Sequence, residues 1–390
     1  VDENAMNALP LQSPALSGFD LDSLTLGAAR LRPQALALHD LTDQTDQRFT
    51  FSELNHHVDS LAWQWSMLGL PAGARVLISM RCSSLSIIGM LGALRAGLDV
   101  VLAPLHTNAG ALAALARKTG ALALASEPSH DRLNLIETLF AAAALASDVK
   151  LVCSLGAELI DDAVCLDPWL AREDTGTPLT PYGSQRPQIL TQDRNGNIHA
   201  HDQAHLIAAA LDLATRGKIS GHEPVLSCLL PASFAGLVAG PILSLLTGAP
   251  LMLIPSFSTD VFARAFDGGE RLHLIVPSAA TLMMVEAGVI DTSRLISFMP
   301  VTSVTDIEDD AELSAPILAR HARLPVVTDL FAINDRALIA EPRGRDGQAK
   351  QPAESPHFLP LDSQSILAVT RSETGQIEGL AVTPQGSFIR

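Results

Sequence analysis

The residues best suited to chemistry crowd into one stretch, residues 190–205, LTQDRNGNIHAHDQAH. It sets His199, His201 and His205 beside Asp193 and Asp202. A metal centre of these residue types needs three or four convergent ligands. His201 and His205 are spaced i, i+4 and would share a helix face, but His199 and His201 have strand spacing. Asp202 stands where an N-cap would divide the run between two elements, so solvated or capping histidines are expected. The other chemistry open to the stretch is anion binding, in which a glycine-rich turn presents several backbone N–H groups at close approach. Gly196 is the one glycine here, and Asn195-Gly196 is a strong dipeptide for a tight hairpin turn.

Other familiar signatures are missing. The chain has no G-x-x-x-x-G-K-[ST], no G-x-G-x-x-G after a strand, no G-x-S-x-G and no H-E-x-x-H. Cys82, Cys153, Cys165 and Cys228 form no C-x-x-C pair, which favours reduced, buried thiols over a disulfide framework or zinc knuckle. His56 and His57, with no evident carboxylate or metal partner, read as surface residues.

The 390 residues are 47% apolar and 17% charged, enough for a sizeable core in one composite or several domains. The formal net charge is −16, and no run of Lys or Arg appears, which argues against nucleic acid and against anionic membrane faces as partners. Residues 224–259 carry no formal charge and are long enough to span a bilayer. Pro231, Pro241, Pro250 and Pro255 cut that stretch into pieces suited to a buried strand, a core helix and a second strand. The opening VDENAMNALPLQSP lacks the basic start and apolar centre of a secretory signal, so a cytoplasmic protein is expected.

Residues 1–30 read as a polar arm on the surface. From residue 36, apolar runs alternate with helical patterns: ALALHDL, then QRFTFSEL leading into a helix, then ARVLISM, DVVLAPL and ALALASE with helices between them. Ser52 is preferred to Thr50 as the cap of the first of these helices, which Gly69 stops. Gly97 and Gly120 end the next two. Strands apolar on both faces imply parallel sheets covered by helices. The expected class is α/β, with two related, mostly parallel sheet-and-helix subdomains at 31–185 and 186–340. A loop rich in Pro and Gly at 341–357 then leads into short antiparallel strands, making 341–390 a small β region.

The order of motifs carries a resemblance. FTFSEL, a helix, LGLPAGARV and then ALRAGLDVVLAPL resemble the N-terminal domain of the adenylate-forming superfamily, which includes acyl-CoA synthetases, adenylation domains and luciferases. LLPASFAGLVAGPILSLLTGAPLMLIPSFS, LIVPSAATLMMVEAG and DLFAINDRAL resemble its later segments, so the likeness spans about residues 30–340. The family's phosphate loop is Y-T-S-G-T-T-G-x-P-K-G. Laid on LTQDRNGNIHA it matches only Thr191 and Gly196, with Gln192, Asp193, Arg194 and Asn195 replacing the small residues and His199 the lysine. The resemblance places Phe331 where a tyrosine stacks on adenine, and Asn334 and Asp335 where threonine and glutamate meet phosphate and magnesium. Read alone, FAIND is a strand end and a turn.

The resemblance therefore implies nucleotide contacts at Thr191, Arg194, Gly196, His199, Phe331, Asn334 and Asp335, with Asp335 as the metal ligand; it assigns no catalytic residue. The family's T-G-D ribose motif finds no match, and its C-terminal lid is not expected within these 390 residues. A degenerate AMP-dependent synthetase is the expected function, with adenylation weak or lost and a cleft for an acyl or aryl carboxylic acid retained. One alternative is an active acid:CoA or acid:carrier ligase using ATP and Mg²⁺ through Arg194 and His199. The other is a non-catalytic scaffold that needs no cofactor and binds a protein the sequence does not name.

Overall fold

Asp20 begins the regular structure: its side chain accepts from Ser23 N at 2.7 Å and caps α1 (Leu21–Leu31). The computed structural model describes residues 20–42, 46–131, 133–170, 186–304, 326–343, 367–371 and 377–382. Residues 21–30, expected as part of a surface arm, lie in this helix instead. Leu21 is buried, and its N–H donates to Gln203 Oε1 at 2.8 Å. Thr25 is buried as well, Leu24, Ala28 and Ala29 pack against the main core, and Asp22 accepts from Arg95 Nε at 2.5 Å, so the helix is held by packing and by long-range bonds.

β1 (Leu36–Asp40) pairs antiparallel with β2 (Gln47–Thr50), which runs directly into α2 (Phe51–Met67). Thr50, not Ser52, caps this helix. Its hydroxyl accepts from Glu53 N at 3.2 Å, while Glu53 Oε2 accepts from Thr50 N at 2.8 Å. The reciprocal pair requires a hydroxyl three residues before a glutamate, a spacing that Thr50 has and Ser52 lacks. Thr50→Ala is expected to cost about 1 kcal/mol in denaturant unfolding, whereas Ser52→Ala stays within about 0.5 kcal/mol. Equal losses would contradict the cap assignment.

The chain continues as β3 (Arg75–Met80), α3 (Ser84–Arg95), β4 (Asp99–Pro104), α4 (Ala109–Thr119) and β5 (Ala121–Ser126). A two-residue pair, β6 (Ser129–His130) and β7 (Leu133–Asn134), precedes α5 (Leu135–Leu145), β8 (Leu151–Leu155) and β9 (Val164–Leu166). Residues 171–185 lie outside the described residues. Next come β10 (Ile189–Gln192), β11 (Ile198–His201) and α6 (Gln203–Gly217), with Asp202 capping α6 as its type and place foretold.

The charge-free stretch folds as β12 (Val225–Ser227), α7 (Phe234–Leu237), a π turn at Val238–Ile242, α8 (Leu243–Thr247) and β13 (Leu251–Leu253). Pro241 lies inside the π turn, which fits proline's lack of an amide donor. Among the described residues, no helix is long and apolar enough to cross a membrane. After α9 (Thr259–Arg264) come β14 (Leu272–Pro277), α10 (Ser278–Glu286) and β15 (Leu295–Val304). A second hairpin follows, β16 (Val326–Ile333) and β17 (Ala337–Pro342), and then the antiparallel pair β18 (Leu367–Arg371) and β19 (Ile377–Val382). The expected loop at 341–357 is outside the described residues from 344 onward; Glu341 and Pro342 complete β17.

Two large sheets result. One is ordered β11-β10-β4-β3-β5-β8-β9, the other β17-β16-β15-β14-β12-β13-β1-β2. Their interiors are parallel, and antiparallel pairing is confined to the edges β11, β17 and β2. This is the buried, helix-covered arrangement that the doubly apolar strands require. Membership does not follow chain order. β1 and β2 join the sheet of residues 225–342, whereas β10 and β11 join the sheet of residues 75–166.

Candidate functional site

The β10–β11 hairpin turns as its sequence suggests. Gly196 has φ +80°, the left-handed region a tight turn needs, and its N–H donates to Asp193 O at 3.0 Å. Inside the turn lies the Asp193 carboxylate. Its Oδ1 accepts from the backbone N–H groups of Asn195 at 2.9 Å and Asn197 at 2.8 Å. Its Oδ2 accepts from Asn197 Nδ2 at 2.9 Å and is 3.0 Å from His199 Nε2. Burial works against ionisation of Asp193, but the bonds from His199 and Asn197 and the two amides outweigh it and hold the carboxyl at about 2.

Two cationic side chains brace the hairpin. Lys118 Nζ, from the end of α4, donates to Gly196 O at 2.7 Å. Arg336 Nε donates to His199 Nδ1 at 2.9 Å. A guanidinium N–H can only donate, so Nδ1 of His199 is the acceptor and Nε2 carries the proton given to Asp193. Arg194 is exposed at the tip.

Arg336 is the last residue of the β16–β17 turn, in which Asn334 and Asp335 adopt φ +47° and +54°. Asp335 Oδ1 accepts from Phe234 N, at the start of α7, at 2.7 Å, and Oδ2 accepts from the Thr191 hydroxyl. Thr191 Oγ1 is also 2.7 Å from His201 Nε2. Because the hydroxyl donates to Asp335, His201 donates to it through Nε2. Burial, with repulsion from His199, Arg336 and His205, pushes His201 down to about 3, so the ring stays neutral. Burial pushes Asp335 up to about 6 despite the bonds from Thr191 and Phe234 N. Asp335 thereby joins three elements: the second hairpin, β10 and α7.

Of the residues singled out in the sequence, Thr191 and Asp335 bond each other, His199 bonds Asp193 and Arg336 in a separate group on the same two hairpins, and Gly196 shapes the first turn. Arg194 faces solvent, and Asn334 stands at the turn half-buried. Phe331 is 5% exposed and packs in the main core with Leu330 and Ile333. Among the described residues, no group of three or more His, Cys, Asp or Glu side chains could hold a metal ion. Sequence reasoning missed Lys118, Arg336 and the Phe234 amide, which arrive from distant elements with no local signal. Asp193 did carry one, since an aspartate opening D-x-N-G-N is suited to bonding its own following amides.

A second polar cluster caps α3. Asp40, at the end of β1, accepts from Ser84 N at 2.9 Å and from the Ser84 hydroxyl at 2.7 Å. Burial pushes its carboxyl up to about 7. Glu127, after β5, accepts from Arg81 at 2.5 Å, from Ser86 at 2.7 Å and from the Ser83 hydroxyl. Every acceptor here already has its donors within the chain, and the cluster ties the ends of β1, β3 and β5 together.

Residues 27–181 match the family model described as AMP-binding enzyme. Among solved structures, MbtA of Mycobacterium smegmatis in its apo form is 20% identical with a TM-score of 0.64; 80% of this chain and 56% of that one are covered. A benzoate CoA ligase from Burkholderia xenovorans LB400 is 16% identical with a TM-score of 0.69, covering 92% and 69% respectively. The N-terminal domain of FACL13 from Mycobacterium tuberculosis is also 16% identical, with a TM-score of 0.68 and coverage of 92% and 86%. The chain thus spans little more than half the length of MbtA. No curated protein matches it.

Proposed function

We propose that this chain, an adenylate-forming N-terminal domain by its AMP-binding segment at 27–181 and by its fold, does not form adenylates and binds a small acyl or aryl carboxylic acid. The carrying observation is that the Asp193 carboxylate already takes the hairpin amides of Asn195 and Asn197. Adenylate formation displaces pyrophosphate from the α-phosphorus by a carboxylate, and its catalysis rests on donors aimed at charge on the phosphoryl oxygens. Each donor lost typically slows such a reaction about 10²–10³-fold. Seating a triphosphate here would strip charge-assisted bonds from Asp193 and set anion against anion.

The Mg²⁺ position fits no better. Both oxygens of Asp335 accept from protein donors, and the carboxyl is drawn toward its neutral form. A hard dication needs several ionised or carbonyl oxygens. The residues present therefore do not suit the nucleotide–metal pair. An active ligase using His199 is disfavoured by the same geometry, because both ring nitrogens are engaged, one by Arg336 and one by Asp193. The carboxylic-acid half of the reading is supported by the fold shared with a protein named as a benzoate CoA ligase.

Calorimetric titration with Mg·ATP, AMP, benzoate and a fatty-acid series, beside a pyrophosphate-exchange assay, tests both halves. The expected result is heat with at least one acid, none with ATP or AMP, and no exchange. Exchange above the no-enzyme rate would overturn the first half. No response to any acid would overturn the second and leave a scaffold.

A further inference from the structure

We infer that Asp193 is a built-in anion that keeps the hairpin's amide site shut, and that Arg336 is the positioning residue holding it there through His199. The inference rests on the closed nucleotide site proposed above and adds how the closure is maintained.

The geometry is that of an occupied anion site. The N–H groups of Asn195 and Asn197 converge on a single oxygen, Oδ1, as successive amides of a turn converge on a bound oxyanion. The other oxygen meets Asn197 Nδ2 and His199 Nε2. Four donors therefore surround one carboxylate, more than a simple aspartate turn requires. The tip cannot swing away freely, because Lys118 holds Gly196 O and Gln192 Nε2 reaches the same carbonyl at 3.3 Å.

The histidine decides whether Oδ2 is welcomed or repelled. A neutral imidazole with its proton on Nδ1 would turn the Nε2 lone pair toward the carboxylate. Arg336 forbids that tautomer by donating to Nδ1. The arginine lies in the β16–β17 turn, so closure of one hairpin is set by the other. With the carboxylate removed, two amides, the Asn197 side chain and the His199 N–H would remain around its place, with the exposed Arg194 and Lys118 nearby. That donor set suits a tetrahedral oxyanion of the phosphate class.

The test is an NMR titration of the full chain with inorganic pyrophosphate. It reads the Asn195 and Asn197 amide resonances and the ¹⁵N shifts of the His199 ring. In the parent protein the two amides should not move, and His199 should report a proton on Nε2. In Asp193→Ala both amides should shift and saturate, with affinity at least tenfold above the parent. Arg336→Gln should show mixed His199 tautomers and a response between the two. If Asp193→Ala does not fold, Asp193→Asn serves: loss of charge and of the Oδ2 acceptor should admit pyrophosphate more weakly, with the same two amides reporting.

A folded Asp193 variant whose amides ignore pyrophosphate overturns the built-in anion. An unchanged Nε2-protonated His199 in Arg336→Gln overturns the positioning role. Saturable amide shifts in the parent would instead overturn the closed-site reading itself, so the two failures are distinct.

Discussion

Asp335→Asn is expected to make the protein more stable than its parent above pH 6, by about 1–2 kcal/mol, with the advantage shrinking toward pH 4. The sign follows from the raised carboxyl, at about 6 in the fold against 3.8 for an ordinary aspartate. As pH rises, the unfolded chain releases this proton first, so between those values the folded state holds more protons and stability falls. The contribution is whole below 3.8 and has gone above about 6. A shift of this size corresponds to about 3 kcal/mol at most, because each pKa unit is worth about 1.4 kcal/mol. Asparagine avoids the buried charge, still accepts from Phe234 N and still meets Thr191. Asp335→Ala should fall below Asp335→Asn at every pH by about 1–3 kcal/mol, since it orphans the buried Phe234 amide.

Guanidinium unfolding at pH 5 and pH 8 separates these outcomes, and parallel pH profiles for parent and Asp335→Asn would sink the argument. The comparison must be between variants, because the parent's own profile combines opposing groups. Asp40, raised to about 7, acts in the same direction as Asp335. His201 and His273, lowered to about 3 and about 4 chiefly by burial, act in the other: the unfolded chain takes up their protons as pH falls through 6.5, so their burial costs stability in acid.

Asp329→Ala should bring the largest loss, about 3–5 kcal/mol. Arg343 Nε and Nη2 donate to the two oxygens of Asp329, each at 2.8 Å, and both side chains are about 5% exposed or less. Removing the acid leaves a guanidinium buried without its fork partner, where desolvation is no longer offset. The pair joins the middle of β16 to the residue after β17, so it ties together the hairpin whose far end carries Asp335 and Arg336. Asp329→Leu combined with Arg343→Met should recover most of the stability, as apolar replacement of buried pairs often does. A loss below about 1 kcal/mol for Asp329→Ala would show that the pair is solvated in solution.

Much of this fold could be read from local pattern. DVVLAPL, ARVLISM and ALALASE are apolar on both faces, and they form the parallel strands that such burial demands. Asn195-Gly196 specified its hairpin and Asp202 its cap, because both act through neighbours in sequence. The helical pattern that starts directly after Ser52 points to it as the cap, whereas the glutamate three residues after Thr50 completes the reciprocal pair there. The site was harder. Asp193 appears in sequence only as a replacement for a small residue, but in the fold its carboxylate takes the hairpin amides, and only three-dimensional convergence of Asn195, Asn197 and His199 reveals this. Lys118 and Arg336 lie 78 and 137 residues from the groups they hold, beyond any periodicity or motif.

The exchange of strands between the two sheets bears on how the chain must be made. On a ribosome, β4 emerges long before its parallel neighbour, since Val100 pairs with Ile189. β1 waits longer still, because Leu38 pairs with Leu251. Nascent chains of intermediate length therefore present bare, apolar strand edges, the kind of surface that recruits aggregation or chaperones. Neither sheet can be finished until most of the polypeptide has been synthesised, so separate expression of residues 31–185 should yield insoluble material rather than an autonomous half.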